Sequence, residues 1–232
     1  MLTSANTTSL RTESSLVDQL IEQITNAVIN HELEPGERLP SEAELAEMYN
    51  VGKSSVREAV KVLQALGVIE VRRGDGTFIC KEHAGDLFNP VLYQMMIQPS
   101  DLDKLYELRR IFEPSASILA VENATEEDIK KIEDRFQKYE SLVKDNRQTG
   151  KDDVAFHMSI YEATHNPYLI KIGEMILKLL EKSIDSANKT FPEASVSDHK
   201  KIFYAIKSKD INSIRKAEED SFRRWFRSNT SD

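Results

Sequence analysis

The sequence predicts a mainly α-helical chain in two parts: an N-terminal winged helix-turn-helix with a small β-hairpin wing, and a C-terminal all-α helical bundle. Three observations predict this. Apolar residues recur at three- and four-residue intervals over most of the chain, the spacing of helices buried on one face. Two short β-like runs, Val68 to Arg72 and Thr77 to Ile79, meet around Arg73-Gly74-Asp75-Gly76. Beyond about Asp86 no convincing strand follows, only helical segments separated by cap and breaker residues.

The first helix spans Leu16 to Asn30, with Leu16, Leu20, Ile24, Ala27 and Val28 on one stripe. Pro35-Gly36 breaks the chain. Ser41 to Tyr49 is a short helix, since Ser41 followed by Glu44 makes a capping box. Asn50-Val51-Gly52 forms a turn into a third helix, Ser54 to Leu66, with Val56, Ala59, Val60 and Leu63 inward and Gly67 as its stop. The hairpin completes this part, which occupies 16–81. Residues 1–15 are polar and read as a disordered arm, without the apolar core of a signal peptide. Residues 82–100 form a linker and connecting helix, and 101–228 the helical bundle.

In the bundle, Ser100 to Asp103 caps a helix toward Asn123, and Thr125 to Asp128 caps one ending near Asp145. Thr149-Gly150 precedes a third and Asn166-Pro167 starts a fourth, with proline in the favourable first turn. Its apolar face includes Ile170, Ile172, Met175, Ile176, Leu179 and Leu180. Phe191-Pro192 and Lys209-Asp210 bracket the last two helices.

Bulk properties narrow the classes. At 232 residues, 40% hydrophobic and 30% charged, the chain suits one large or two small globular domains. One cysteine, Cys80, excludes an internal disulfide framework and a cysteine metal cluster, and a reducing cytoplasm is the natural setting. No stretch approaches a membrane span. A net charge of −8 argues only weakly against nucleic acid, because contact requires local positive charge.

That local charge exists. In helix, short helix, turn, helix, hairpin order, the helix after the turn would enter a DNA major groove. It leads with Gly52, Lys53, Ser54, Ser55 and Arg57; Lys53, Arg57 and Lys61 share a face. Arg57 suits bidentate contact with a guanine edge, and the two serines suit phosphate or base. Arg72 and Arg73 lie at the hairpin tip, where Gly74 and Gly76 allow close backbone approach. The plainer alternative for the three cations is a solvated helix face.

The run PGERLPSEAELAEMYNVGKSSVREAVKVLQALGVIEVRRGDGTFI resembles the DNA-binding domain of GntR-family bacterial transcription regulators, over about Val17 to Ile79. The resemblance implies groove contacts at Ala43, Gly52, Lys53, Ser54, Arg57, Arg73 and Gly74. Ala43 stands where that family very often has arginine, and Asp75 where the wing is often basic or neutral. Both departures remove positive charge, so a shallower salt dependence than that of a fully basic relative is expected.

In the helical half, Asp153 and His157 are four apart on one helix, a spacing at which carboxylate and imidazole can share a divalent metal. A surface hydrogen bond is the alternative. His199 lies early in a later helix. Arg109 sits on an otherwise apolar helix, where it could simply pair with Glu113. His165 reads as a helix-end residue, His31 and His83 as exposed, Cys80 and Trp225 as structural.

The region from about Asp101 to Phe226 resembles the FCD-type ligand-binding domain of the FadR subfamily. The resemblance implies a divalent metal such as zinc or nickel on Asp153, His157 and His199, with Arg109 binding an effector carboxylate. A further family histidine is replaced by Ser221. With three protein ligands, water or effector oxygens would complete the shell; alternatively Ser221, His157 and His199 would hold the effector directly. The expected whole is a homodimeric transcription regulator, a repressor, that binds a pseudo-palindromic double-stranded DNA operator and senses a small organic acid. It is expected not to be an enzyme or to act at a membrane. A metal-dependent enzyme or a purely structural, partner-binding helical module fused to the DNA-binding domain are the alternatives.

Overall fold

The computed structural model describes residues 15–81, 94–95 and 102–229, without the side chains of 102 and 224–229. The expected arm over 1–14, most of the linker, Ser100 of the expected Ser100–Asp103 cap, His83 and the Trp225 side chain lie outside the described residues. The chain forms two compact units that divide between Gln94 and Met95.

In the first unit, α1 (Leu16–Ile29) begins at Ser15, whose hydroxyl accepts from Asp18 N while Asp18 accepts from Ser15 N, both at 3.1 Å. Ser15, assigned to the arm from sequence, is therefore the cap of the first helix. Leu20 and Ile24 face inward, but Leu16, at the first position of the helix, is 54% exposed. α2 (Glu42–Met48) carries the expected Ser41–Glu44 capping box. Asn50 turns the chain at φ 52°, and α3 (Lys53–Ala65) follows with Val56, Ala59, Val60 and Leu63 buried.

Gly67 ends α3 at φ 72°, a left-handed position that glycine adopts without a Cβ clash. The bonds Gly67 N–H to Gln64 O and Val68 N–H to Leu63 O, both 3.0 Å, complete a Schellman closure. β1 (Ile69–Arg72) and β2 (Gly76–Ile79) pair antiparallel, with Ile69 opposite Ile79 and Arg72 opposite Gly76. The segment after Pro35 also joins the wing: Leu39 N–H donates to Thr77 O and Ile79 N–H to Glu37 O, both 2.8 Å. Leu39, Leu45, Ile69 and Ile79 close the core over α1 and α3.

The second unit is helical among its described residues: α4 (Leu102–Asn123), α5 (Glu126–Lys144), α6 (Gly150–Glu162), α7 (Pro167–Thr190), α8 (Pro192–Lys207) and α9 (Ile211–Asn229). The caps at Thr125, Thr149 and Asn166 are those the sequence predicts. Two apolar clusters fill it. One gathers Ile132, Phe136, Phe156, Ile202, Phe203 and Ile206; the other gathers Tyr106, Tyr161, Ile176, Leu177 and Leu180.

α7 approaches α6 closely at Gly173, where a Cβ would lie 2.6 Å from the Tyr161 ring. Gly173→Ala is expected to lower the stability of this unit by about 1–3 kcal/mol through overpacking, against the small gain in helix propensity. Thermal denaturation followed by circular dichroism measures it.

Candidate functional site

On the first unit, Lys53, Ser54, Arg57, Lys61, Arg73 and Gly74 are exposed and Ser55 is partly so. Gly52 caps α3 without a side-chain hydrogen bond, leaving the Lys53 and Ser54 N–H groups open to an anion while Ser55 N–H donates to Gly52 O at 3.0 Å. Arg57 donates through Nε to Glu42 Oε2 at 2.7 Å. Arg72 is exposed but drawn back along its strand: its guanidinium carbon lies 4.2 Å from the Phe78 ring centroid, and Nε donates to Glu70 Oε1 at 3.0 Å. Arg73 holds the turn itself.

Sequence reasoning missed Arg38. It is exposed and crosses beneath the wing, where a Cβ on Gly76 would meet its Nε at 2.8 Å. Its signal was the GERLP run between the break and α2, too short to read as a partner of the hairpin.

In the second unit, α6 supplies Asp153 and His157, α8 supplies His199, and α4 supplies Arg109 and Glu113. All five side chains are buried. The surface reading of Asp153 and His157 is thus set aside: they are 3% and 4% exposed. Arg109 does pair with Glu113, Nε to Oε1 at 2.7 Å, and it also reaches His157.

The hydrogen bonds assign protons. Arg109 Nη2 lies 3.0 Å from His157 Nε2, and a guanidinium only donates, so this ring nitrogen accepts. The His157 proton then sits on Nδ1, 3.5 Å from Glu113 Oε1. His199 Nε2 lies 3.2 Å from both His157 Nε2 and Asp153 Oδ2. With the lone pair of His157 Nε2 already used, His199 Nε2 donates to Asp153. The same Asp153 oxygen accepts from Asn188 Nδ2 at 3.0 Å and Ser195 Oγ at 3.3 Å.

Burial, with Arg109 and His199 alongside, pushes His157 down to about 4 despite the nearby Glu113 and Asp153 carboxylates. It is a neutral imidazole at pH 7. Burial alone would raise Asp153, but His199, His157 and Arg109 hold its carboxyl below the usual range. Burial would lower Arg109, yet Glu113 and Asp153 keep it firmly charged. Burial next to Glu113 pushes Glu218, which accepts from Ser117 Oγ at 2.5 Å, up to about 8.

Asp153, His157 and His199 offer one ligand atom each, all within 4.8 Å of one another. Two imidazole nitrogens bound at about 2.0–2.1 Å to one tetrahedral or octahedral cation sit about 3–3.4 Å apart. The observed 3.2 Å separation fits, provided that a cation takes the His157 Nε2 lone pair from Arg109 and the His199 proton moves to Nδ1, which is buried without a hydrogen-bond partner. So does Asp153 Oδ1, which is buried without a hydrogen-bond partner. The Glu113 carboxylate behind His157 Nδ1 is the outer-shell support expected of a histidine ligand. One nitrogen-and-oxygen donor set suits zinc or nickel.

The cluster opens into a pocket of about 60 Å³, space for several waters, that Arg109 and Ser221 also line. Sequence reasoning missed Asn188, Ser195, Tyr106 and Asp198 on the same wall. Asn188 carried a signal, a polar residue at the end of the buried row Leu177, Leu180, Ile184 on α7. His165 stands apart, at φ 52° beyond α6 with Nε2 2.8 Å from Asp128 Oδ2, and His31 is exposed.

The gntR family model of bacterial regulatory proteins matches residues 16–79, and the FCD domain model matches 104–222. The chain belongs to the GntR family, with an FCD domain. This GntR-family chain is 29% identical over 184 residues to the HTH-type transcriptional regulator LutR of Bacillus subtilis, spanning 76% of the chain and 84% of LutR. It is 28% identical over 210 residues to the HTH-type transcriptional repressor NanR of Cronobacter sakazakii, spanning 89% of the chain and 78% of NanR. The solved structure of Streptococcus agalactiae GntR superposes at a TM-score of 0.70 with 26% identity, over 92% of this chain and all of that one. The chain is a transcription regulator and not an enzyme. Among the described residues, no helix is long and apolar enough to cross a membrane.

Two stability effects follow from the buried charges. Arg109→Ala strands Glu113 and is expected to cost about 3–5 kcal/mol, read as a loss of thermal stability. A carboxyl raised from 4.5 to about 8 favours folding below pH 4.5 and loses that contribution as pH rises toward 8. Glu218→Gln should therefore flatten the decline in stability between pH 5 and pH 8, measured by denaturant titration.

Proposed function

We propose that the chain is a cytoplasmic, homodimeric repressor whose hold on a pseudo-palindromic operator changes when a small organic carboxylate enters the helical domain. The observation that carries this is the buried pocket where Arg109, a permanent cation, stands 3.0 Å from a histidine of a three-residue ligand cluster. A buried guanidinium beside open pocket space suits a carboxylate, and Ser221 offers a hydroxyl on the same wall. Asp153, His157 and His199 would hold a divalent cation, zinc or nickel. The bound cation would supply a second positive centre for an effector oxygen. The name of NanR, a repressor, supports the sign of regulation.

DNA reading falls to Lys53, Ser54, Ser55, Arg57 and Lys61 on α3, and to Arg72, Arg73 and Gly74 on the wing. Effector binding biases the dimer between arrangements that do and do not match the operator spacing. Domain boundaries near 81 and 101 suit this division, with the intervening residues as connector.

The test is fluorescence anisotropy on DNA upstream of the gene itself, with a panel of carboxylic acids. Arg57→Ala is expected to weaken binding at least tenfold, about the worth of one bidentate base contact. Equal binding by Arg57→Ala and the parent contradicts the assignment of α3. For the second unit, zinc at about 100 times its Kd should stabilise the chelator-stripped protein by about 2.7 kcal/mol. His199→Ala should abolish that thermal shift. A shift of equal size in the variant places the metal elsewhere.

A further inference from the structure

Of the three α3 cations, Arg57 alone has an acidic partner: Lys53 and Lys61 have no ion pair among the described residues. The partner is Glu42 of α2, fifteen positions earlier, its Oε2 2.7 Å from Arg57 Nε. Glu42 is not needed to cap α2. That task belongs to Glu44, which accepts from Ser41 N at 2.7 Å and whose own N–H donates to Ser41 Oγ. An ion pair whose side chains are 64% and 41% exposed contributes almost nothing to stability. An acidic group beside a DNA-facing helix also opposes phosphate binding. Glu42 also stands in the first turn of α2, where its charge favours the helix N-terminus, but that role needs no contact with Arg57.

We propose that Glu42 is a positioning residue for operator reading, one that makes Arg57 a base reader instead of a phosphate clamp. The proposal rests on the assignment of α3 to the major groove. A guanidinium is planar, with five donors in a fixed fork. Holding Nε on a carboxylate removes the freedom of the long side chain to swing toward the nearest phosphate. It leaves the two Nη groups pointing away, an end-on pair matched to the O6 and N7 of guanine. The adjacent Ala43 adds no cation to this stretch of α2.

The test is selection from a random-sequence duplex DNA library with the full-length parent, Glu42→Ala and Arg57→Ala, followed by anisotropy against salt on the parent's selected duplex. Glu42→Ala should stay folded, with at most a small drop in melting temperature from the first turn of α2. It should lose about tenfold or more of its discrimination at the same base pair that Arg57→Ala makes indifferent, and no discrimination elsewhere. Its binding to random duplex should tighten, with a salt slope steeper by about one unit, as Arg57 turns to a phosphate.

A Glu42→Ala profile identical to the parent's overturns the proposal, as does a folded Glu42→Ala that selects nothing. Those failures leave the DNA-reading assignment standing. A parent that selects no sequence, or an Arg57→Ala variant that selects the parent's sequence, overturns that assignment and the proposal with it.

Discussion

The buried arrangement in the helical domain depends on one contact, the guanidinium of Arg109 against Nε2 of His157. Arginine cannot accept a hydrogen bond and does not deprotonate, so the contact dictates where the neighbouring proton sits. His157 must present its Nε2 lone pair to Arg109 and turn its N–H toward Glu113. His199 must donate to Asp153. Glu113 closes the circuit by balancing Arg109 in a place where an unpaired cation would be costly. Three helices are thereby tied to one proton pattern, and two imidazole nitrogens and a carboxylate converge on one point.

The two units handle charge in opposite ways. In the helical domain, acids and bases are enclosed, and burial and neighbouring charge together set protonation: burial keeps His157 neutral and drives the Glu218 carboxyl toward its neutral form, while the adjacent His199, His157 and Arg109 keep Asp153 ionised against burial. On the DNA-binding unit the charges are solvated, and orientation matters more than proton state. Glu42 and Glu70 each engage an arginine, and Arg72 is further pinned over Phe78. An acidic chain can read DNA if its few cations are placed and not merely numerous.

Most of the fold was legible because caps and glycines are local signals. Ser41, Thr125, Thr149 and Asn166 each start the helix that the sequence predicts, and Gly67 ends α3 through its own backbone freedom. The pairing of Leu39 with Thr77 was not legible, since an edge contact between distant segments leaves no periodic trace. Asp153 and His157 were legible as a pair but not as buried residues; α6 is enclosed on several sides, so its polar face reads as surface. His199 and Ser221 came from family resemblance, and Asn188 and Ser195 only from the fold, because their role arises where three helices meet. The partnership of Glu42 with Arg57 likewise depends on how α2 crosses α3.

Arg109 imposes the tautomer of His157. Long-range ¹H–¹⁵N correlation spectra of ¹⁵N-histidine-labelled, chelator-stripped protein at pH 7 test it directly. The expected spectrum shows a neutral His157 ring protonated at Nδ1, with Nε2 as the acceptor. A His157 ring protonated at Nε2, or one that is an imidazolium at that pH, would contradict it.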